Sequence, residues 1–368
     1  MMLVRDSCYI YRTNKCSPLF VRTRGFIIFH YPEVSKMKKI TAILHQYSIL
    51  PQSIIRVTDR LYQIKANGKQ YALKRSKMKK DNLEMWLSVY DIANKNELYA
   101  VLPLYLTKQN QLYTEMEEEL YYLTPWIEGN ISTHSKETLE SILRQLGMIH
   151  LRTKKINKLK KDDIEKKFLP YQEFCKDTEK QLLTILEAFE QNHYPSPFEL
   201  QVLTHFRDVV DAVKVSQQLV DKIIYLSDSE SDWGTSLTHG NLQKSHLFEH
   251  YLINWEQASY KHASLDLNDF FKNESADFGV GELLLTLFPA YLEENPFGAL
   301  ELAFLALYLL NPMEYLDLVK AYLADRNRST MVEQTIKLEH AHRRLFFARN
   351  FYHQMGSFES SVIAGDDD

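Results

Sequence analysis

Thr238-His239-Gly240-Asn241-Leu242-Gln243-Lys244-Ser245-His246, followed by Leu252-Ile253-Asn254-Trp255-Glu256, is the stretch on which the fold turns. Strand-like residues run from about 237 to 255, interrupted by the His239-Gly240 pair. The polar side chains are mostly amides and imidazoles, and of the quoted residues only Glu256 is acidic. An asparagine side chain cannot act as a base near neutral pH, although its oxygen can orient a hydroxyl. Imidazole offers nitrogen, whereas magnesium is a hard cation that prefers oxygen.

Upstream of this stretch the pattern is that of a small sheet. Ile54 to Val57, Leu61 to Lys65 and Gln70 to Lys74 read as three strands, with Asn67-Gly68 as a hairpin turn. Lys77 to Ala93 reads as a helix with Leu83, Trp86, Leu87 and Tyr90 on one face. Ala100 to Leu106 and Leu120 to Leu123 are two more strand candidates, joined by a polar turn at Gln109-Asn110. Pro125-Trp126-Ile127-Glu128-Gly129 closes the sheet region. Beyond it the chain is mostly helical, beginning with the i, i+3, i+4, i+7 stripe of Leu139, Ile142, Leu143, Leu146, Ile149 and His150. Tyr171 to Gln191, Glu199 to Tyr225 and the region from Gly279 to about Met355 follow as helices.

Bulk properties are consistent with such a chain. Its 368 residues suffice for two lobes with a substantial core between them. The 45% hydrophobic and 25% charged residues are ordinary for a globular protein. A formal charge of -4 predicts neither a nucleic-acid binder nor a membrane-surface protein. Only 11 glycines argue against a glycine-rich nucleotide loop. The three cysteines, Cys8, Cys16 and Cys175, have no zinc-like spacing and fit a reducing compartment. Leu302 to Leu310 is too short for a membrane span and reads as a buried core helix. Regularity begins at Met37, taken as the natural start. Residues 1–36 are expected to be a poorly ordered extension, and 356–368 an acidic disordered tail.

The order of these features resembles the aminoglycoside phosphotransferase/choline kinase family, over roughly Ser53 to Asn350. Tyr71-Ala72-Leu73-Lys74 is similar to the third-strand lysine motif, in which the lysine meets phosphates and a helix glutamate; Glu84 is the candidate partner. Tyr122 to Gly129 is similar to the segment that packs on adenine, which would place Trp126 and Glu128 in a nucleotide site; the same residues also read as an ordinary strand-to-helix turn. Leu146-Gly147-Met148-Ile149-His150 resembles a helix ending in a structural histidine. In the quoted stretch His239-Gly240 matches the family, but Asn241 stands at the catalytic Asp position. His246 and Asn254 stand at the metal-ligand positions, with Glu256 following. Leu265-Asp266-Leu267 resembles a helix start whose carboxylate supports the loop. The overall texture is similar to spore-coat-associated kinase-like proteins of endospore-forming bacteria, the CotS/YsxE group.

The resemblance implies an α+β, protein-kinase-like two-lobe fold, with a β-rich N-lobe over 37–125 and a mainly helical C-lobe over 126–355. Its catalytic candidates are Asn241 and His239, its degenerate metal set His246, Asn254 and Glu256, and its structural supports His150 and Asp266. It implies possible ATP and Mg2+ as cofactors, spore-coat proteins as partners, and the spore coat as destination after cytoplasmic synthesis. With three altered positions the expected function is that of a pseudokinase scaffold. The alternatives are an active phosphotransferase with an atypical metal site and a non-catalytic ATP-binding switch. No nucleic-acid partner and no membrane span are expected.

Overall fold

The computed structural model describes residues 32–128, 135–227, 230–248, 251–324 and 329–363. The expectations for residues 1–31 and 364–368, and for Gly129, lie outside the described residues. The described residues begin with α1 (Pro32–Gln46), which starts five residues ahead of Met37. Hairpin chemistry then builds a sheet from β1 (Ser53–Arg56), β2 (Leu61–Ala66) and β3 (Lys69–Arg75). Asn67 and Gly68 both have positive φ, 50° and 72°, which suits a tight turn between right-twisted strands. After a 3-10 turn at Lys80–Asn82 come α2 (Leu83–Lys95), β4 (Thr114–Met116) and β5 (Glu119–Pro125). The sheet is antiparallel with the order β1-β2-β3-β5-β4.

Alternation along these strands sends Ile64, Leu73 and Leu123 to one face, where Ile40, Ile43 and Leu44 of α1 cover them. Each such side chain contributes roughly 1.5–3 kcal/mol by leaving water. Ala100 to Leu106 does not form the expected strand and keeps only an isolated bridge from Val101 to Leu252. Pro103 lacks the N–H that a ladder needs. β4 takes the edge beside β5 instead.

The larger lobe starts with α3 (Lys136–Arg152), whose Ser135 accepts a hydrogen bond from the Thr138 N–H at 3.2 Å. Its predicted stripe is wholly buried. Gly147 lets α7 approach, because a Cβ there would lie 2.6 Å from Glu294 Cβ. β6 (Lys155–Lys160), α4 (Lys161–Glu190), α5 (Pro197–Leu226), β7 (Glu230–Thr238) and β8 (Ser259–Lys261) follow. The strands make a second sheet, β6-β7-β8. The remaining helices are α6 (Ser264–Glu274), α7 (Val280–Glu294), α8 (Ala299–Leu309), α9 (Met313–Leu323) and α10 (Met331–Ile363).

Ala299–Leu323 is apolar and long enough to cross a membrane by length and composition, but 67% of its most apolar window is buried inside the protein. It also divides into α8 and α9 around Asn311-Pro312. The core-helix reading of Leu302 to Leu310 agrees with that burial. At the C-terminus α10 continues through Gly356 to Ile363, against the expected disordered tail. The reason is Phe358, which is buried against Phe288 and Phe351.

Candidate functional site

The quoted stretch lies between the lobes. β7 ends at Thr238, and the chain turns at Gly240, whose φ is +76°. A Cβ at Gly240 would fall 2.2 Å from the Gln257 carbonyl oxygen, so this close approach requires glycine. The turn is held from below by Asp266, in the first turn of α6. Its carboxylate accepts the N–H groups of His239 at 2.6 Å and Gly240 at 2.9 Å, and His150 Nε2 lies 3.3 Å away. His150 Nδ1 lies 2.9 Å from the Tyr291 hydroxyl, which accepts from the Asn295 amide at 2.7 Å. Burial works to raise the Asp266 pKa, but the bonds and charges of His150, His239 and Gly240 hold it below the usual carboxylate range. His150 and Asp266, the expected supports, thus lie against the backbone of the His239-Gly240 turn and against each other.

His239 does not face a reacting group. It is fully buried; its Nε2–H donates to the Ile253 carbonyl at 2.8 Å, and its Nδ1 accepts the Asn241 N–H at 3.3 Å. Burial pushes its pKa down. Both ring nitrogens of His239, expected as a catalytic candidate, are thus engaged by backbone groups, those of Ile253 and Asn241.

The three altered positions bond to one another. Lys74, on β3, donates to Asn254 Oδ1. Asn254 Nδ2 donates to His246 Nε2 at 2.8 Å, and His246 Nδ1–H donates to the Asn241 carbonyl at 2.9 Å. The Asn241 side-chain oxygen accepts from Gln243 Nε2 at 2.6 Å. Burial, with the nearby His239 and Lys74, takes the His246 pKa down to about 4, so the ring is neutral at neutral pH. Asn254 has φ +72°, a left-handed conformation that asparagine tolerates better than most residues.

Lys74 also forms an ion pair with Glu256 at 2.8 Å, and the Tyr122 hydroxyl donates to the same Glu256 oxygen at 2.9 Å. Glu84, the expected partner of Lys74, is exposed on α2 instead. The face of α2 turned inward carries Trp86 and Val89, with Tyr90 beside the cleft. Burial lowers the Lys74 pKa, while Glu256 opposes the shift.

Beside this chain opens a pocket of about 130 Å³, lined in part by Leu61, Ala72, Leu102, Tyr122, Trp126 and Trp255. Trp126 lines it as expected, whereas Glu128 does not and instead accepts from Gln70 Nε2 at 3.2 Å. A second, more polar cavity shares Asn254 with the first and carries Arg60, Lys77, Lys79 and Lys261 around Asn241 and Glu256. Sequence reading missed Tyr122 as a site residue and missed these cations. The β1–β2 turn held the signal for Arg60: Asp59 pairs outward with Arg56, and its neighbour faces the cleft.

A family profile described as "Spore coat putative kinase YutH" matches residues 40–352. The chain belongs to this family. That bears out the resemblance to spore-coat kinase-like proteins, with YutH as the family matched. No curated protein matches the sequence.

Solved structures share the fold of this YutH-family chain at low identity. An aminoglycoside phosphotransferase from Alicyclobacillus acidocaldarius subsp. acidocaldarius DSM 446 is 16% identical with a TM-score of 0.65, covering 86% of this chain and 96% of its own. Spectinomycin phosphotransferase APH(9)-Ia, in complex with ADP and spectinomycin, is 13% identical with a TM-score of 0.53, covering 85% and 98%. Amicoumacin kinase hAmiN, in complex with AMP-PNP, Ca2+ and Ami, is 14% identical with a TM-score of 0.51, covering 86% and 93%. The fold is therefore the protein-kinase-like two-lobe fold.

Proposed function

We propose that the chain is a pseudokinase of the spore coat, a kinase-shaped protein that binds and scaffolds but does not transfer phosphate. The observation that carries this reading is the hydrogen-bonded chain from Lys74 through Asn254 and His246 to the Asn241 carbonyl. Magnesium does not fit this donor set. The Asn254 oxygen and one Glu256 oxygen are taken by Lys74, and both His246 nitrogens are already bonded. Asn241 offers no base, a loss worth about 10²–10⁴ in rate for a reaction that uses one.

A nucleotide-binding role without transfer is favoured by the apolar pocket next to a cationic cavity. The related folds that hold ADP or AMP-PNP support the same reading. Lys74, Arg60 and Lys77 would then meet phosphate charge directly, without a metal ion between. Thermal unfolding with and without ATP, in magnesium and in EDTA, tests this. At 100 times its dissociation constant ATP should stabilise by about 2.7 kcal/mol. The expected shift is the same in both buffers and is lost in Lys74→Ala, with no phosphorylated product. Turnover of ATP into a phosphorylated acceptor would overturn the pseudokinase reading. Absence of any shift would leave scaffolding alone. Fractionation of spores, with the chain released alongside coat proteins, is the result expected for the location.

A further inference from the structure

Away from the cleft, two helices of the larger lobe bring histidines and carboxylates together. α5 carries His205 and Asp208, and α10 carries Glu339 and His342, each pair three residues apart and so on one helix face. On α10 the operative spacing is i, i+3, from Glu339 to His342. One donor atom each from His205, Glu339 and His342 lies within 4.8 Å of the others. His205 Nε2 is 3.4 Å from Glu339 Oε2. Bonds of about 2.0–2.2 Å to a tetrahedral zinc ion would set such donors about 3.4 Å apart.

Each of the three has a partner that frees one donor atom for the centre. The Tyr315 hydroxyl lies 3.5 Å from His205 Nδ1, which leaves Nε2 toward Glu339. His342 Nε2–H donates to Asp208 at 2.9 Å, which leaves Nδ1 with the lone pair. Arg343 donates to Glu339 Oε1 at 2.9 Å, while Oε2 turns toward His205 and also accepts from Gln201 Nε2 at 3.4 Å, a contact the ion would replace. Arg349 in turn holds Asp208. A histidine whose second nitrogen is held by a carboxylate is the usual outer arrangement of a metal-ligating imidazole.

We infer that His205, Glu339 and His342 form a site for one zinc-class divalent cation that staples α10 to α5. Two nitrogens and one carboxylate oxygen suit zinc better than magnesium or calcium, and water completes the fourth position. The two imidazoles now stack at 3.7 Å with planes 4° apart. Parallel rings cannot aim both lone pairs at one ion, so a bound ion would require them to splay.

The test uses the full chain, untagged and stripped with a chelator. Zn2+ is titrated against a chromophoric competitor, and Co2+ alone is followed by its visible absorption. One equivalent of Zn2+ is expected, with the intense visible bands of tetrahedral Co2+. Glu339→Gln and His342→Ala should each weaken Zn2+ by more than about 100-fold, and Asp208→Asn by about 10–100-fold. His340→Ala, on the same helix outside the cluster, should leave affinity unchanged. Circular dichroism establishes that each variant is folded, and near-isosteric Glu339→Gln carries the test if His342→Ala is not. The inference is overturned if folded Glu339→Gln binds Zn2+ as tightly as the natural chain. It is overturned equally if His340→Ala removes as much affinity, or if no stoichiometric binding occurs.

Discussion

Gly240 and Asn254 both stand in left-handed backbone, and they respond differently to substitution. Gly240→Ala sets a Cβ against the Gln257 carbonyl as well as a positive φ. It should cost at least about 2 kcal/mol, read from urea midpoints. Asn254→Asp keeps size but loses the N–H that His246 Nε2 accepts. The new carboxylate then faces a ring lone pair, and the ring relieves this by binding a proton. The His246 pKa should rise clearly above about 4, followed by NMR, without phosphoryl transfer being restored. Asn241, His246 and Asn254 were legible because each is named by its offset from His239-Gly240, and Lys74 because it ends the strand motif Tyr71-Ala72-Leu73-Lys74. Their mutual bonding was not, since a resemblance to a metal site implies ligands around an ion. Glu84 was misread for a related reason: spacing puts it on the right helix, but only the helix rotation tells whether it or Tyr90 faces Lys74.

Among elements, the support beneath the loop joins α3, α6 and α7 through His150, Asp266 and Tyr291. Asp266→Asn leaves at least one buried donor of that set unpaired and removes the charge they share. It should destabilise by roughly 2–4 kcal/mol, seen as a lower urea midpoint, whether or not nucleotide is added. Elements with a continuous apolar stripe, α3 above all, were legible from sequence because burial imposes period 3.6 on them. Two others were not. Ala100 to Leu106 has strand composition but places Pro103 inside the run. The lysine-rich run from 154 to 161 shows no strand alternation, but Lys155, Lys158 and Lys160 lie in β6, paired to β7 along its length. There Lys155 lies over the Tyr260 ring at 3.6 Å and Lys154 reaches Glu301 at 3.3 Å. Long basic side chains can cover a strand without showing its alternation.

Across the whole molecule, shifted groups occur in the small lobe, the cleft and the large lobe, and each gives acid a separate point of attack. His246 in the cleft and His205 between α5 and α10 both fall from 6.5 to about 4, chiefly by burial. Between those values the unfolded chain binds protons that the folded chain refuses. Their stabilising contribution is therefore complete above about pH 6.5 and is lost as pH falls toward 4. Glu119, the first residue of β5, is held at about 2 instead of 4.5, above all by Lys39, with Tyr121 and Arg75 assisting against partial burial. Its contribution is present above about 4.5 and is lost from there down toward 2. The urea midpoint should accordingly fall in two stages between about pH 7 and about pH 3. His246→Asn should flatten part of the upper stage and leave the lower one intact. Glu119→Gln should do the reverse, lowering the midpoint at neutral pH while making the chain less sensitive below about pH 4.5. If both substitutions instead lower the whole profile in parallel, neither group is the source of the acid sensitivity.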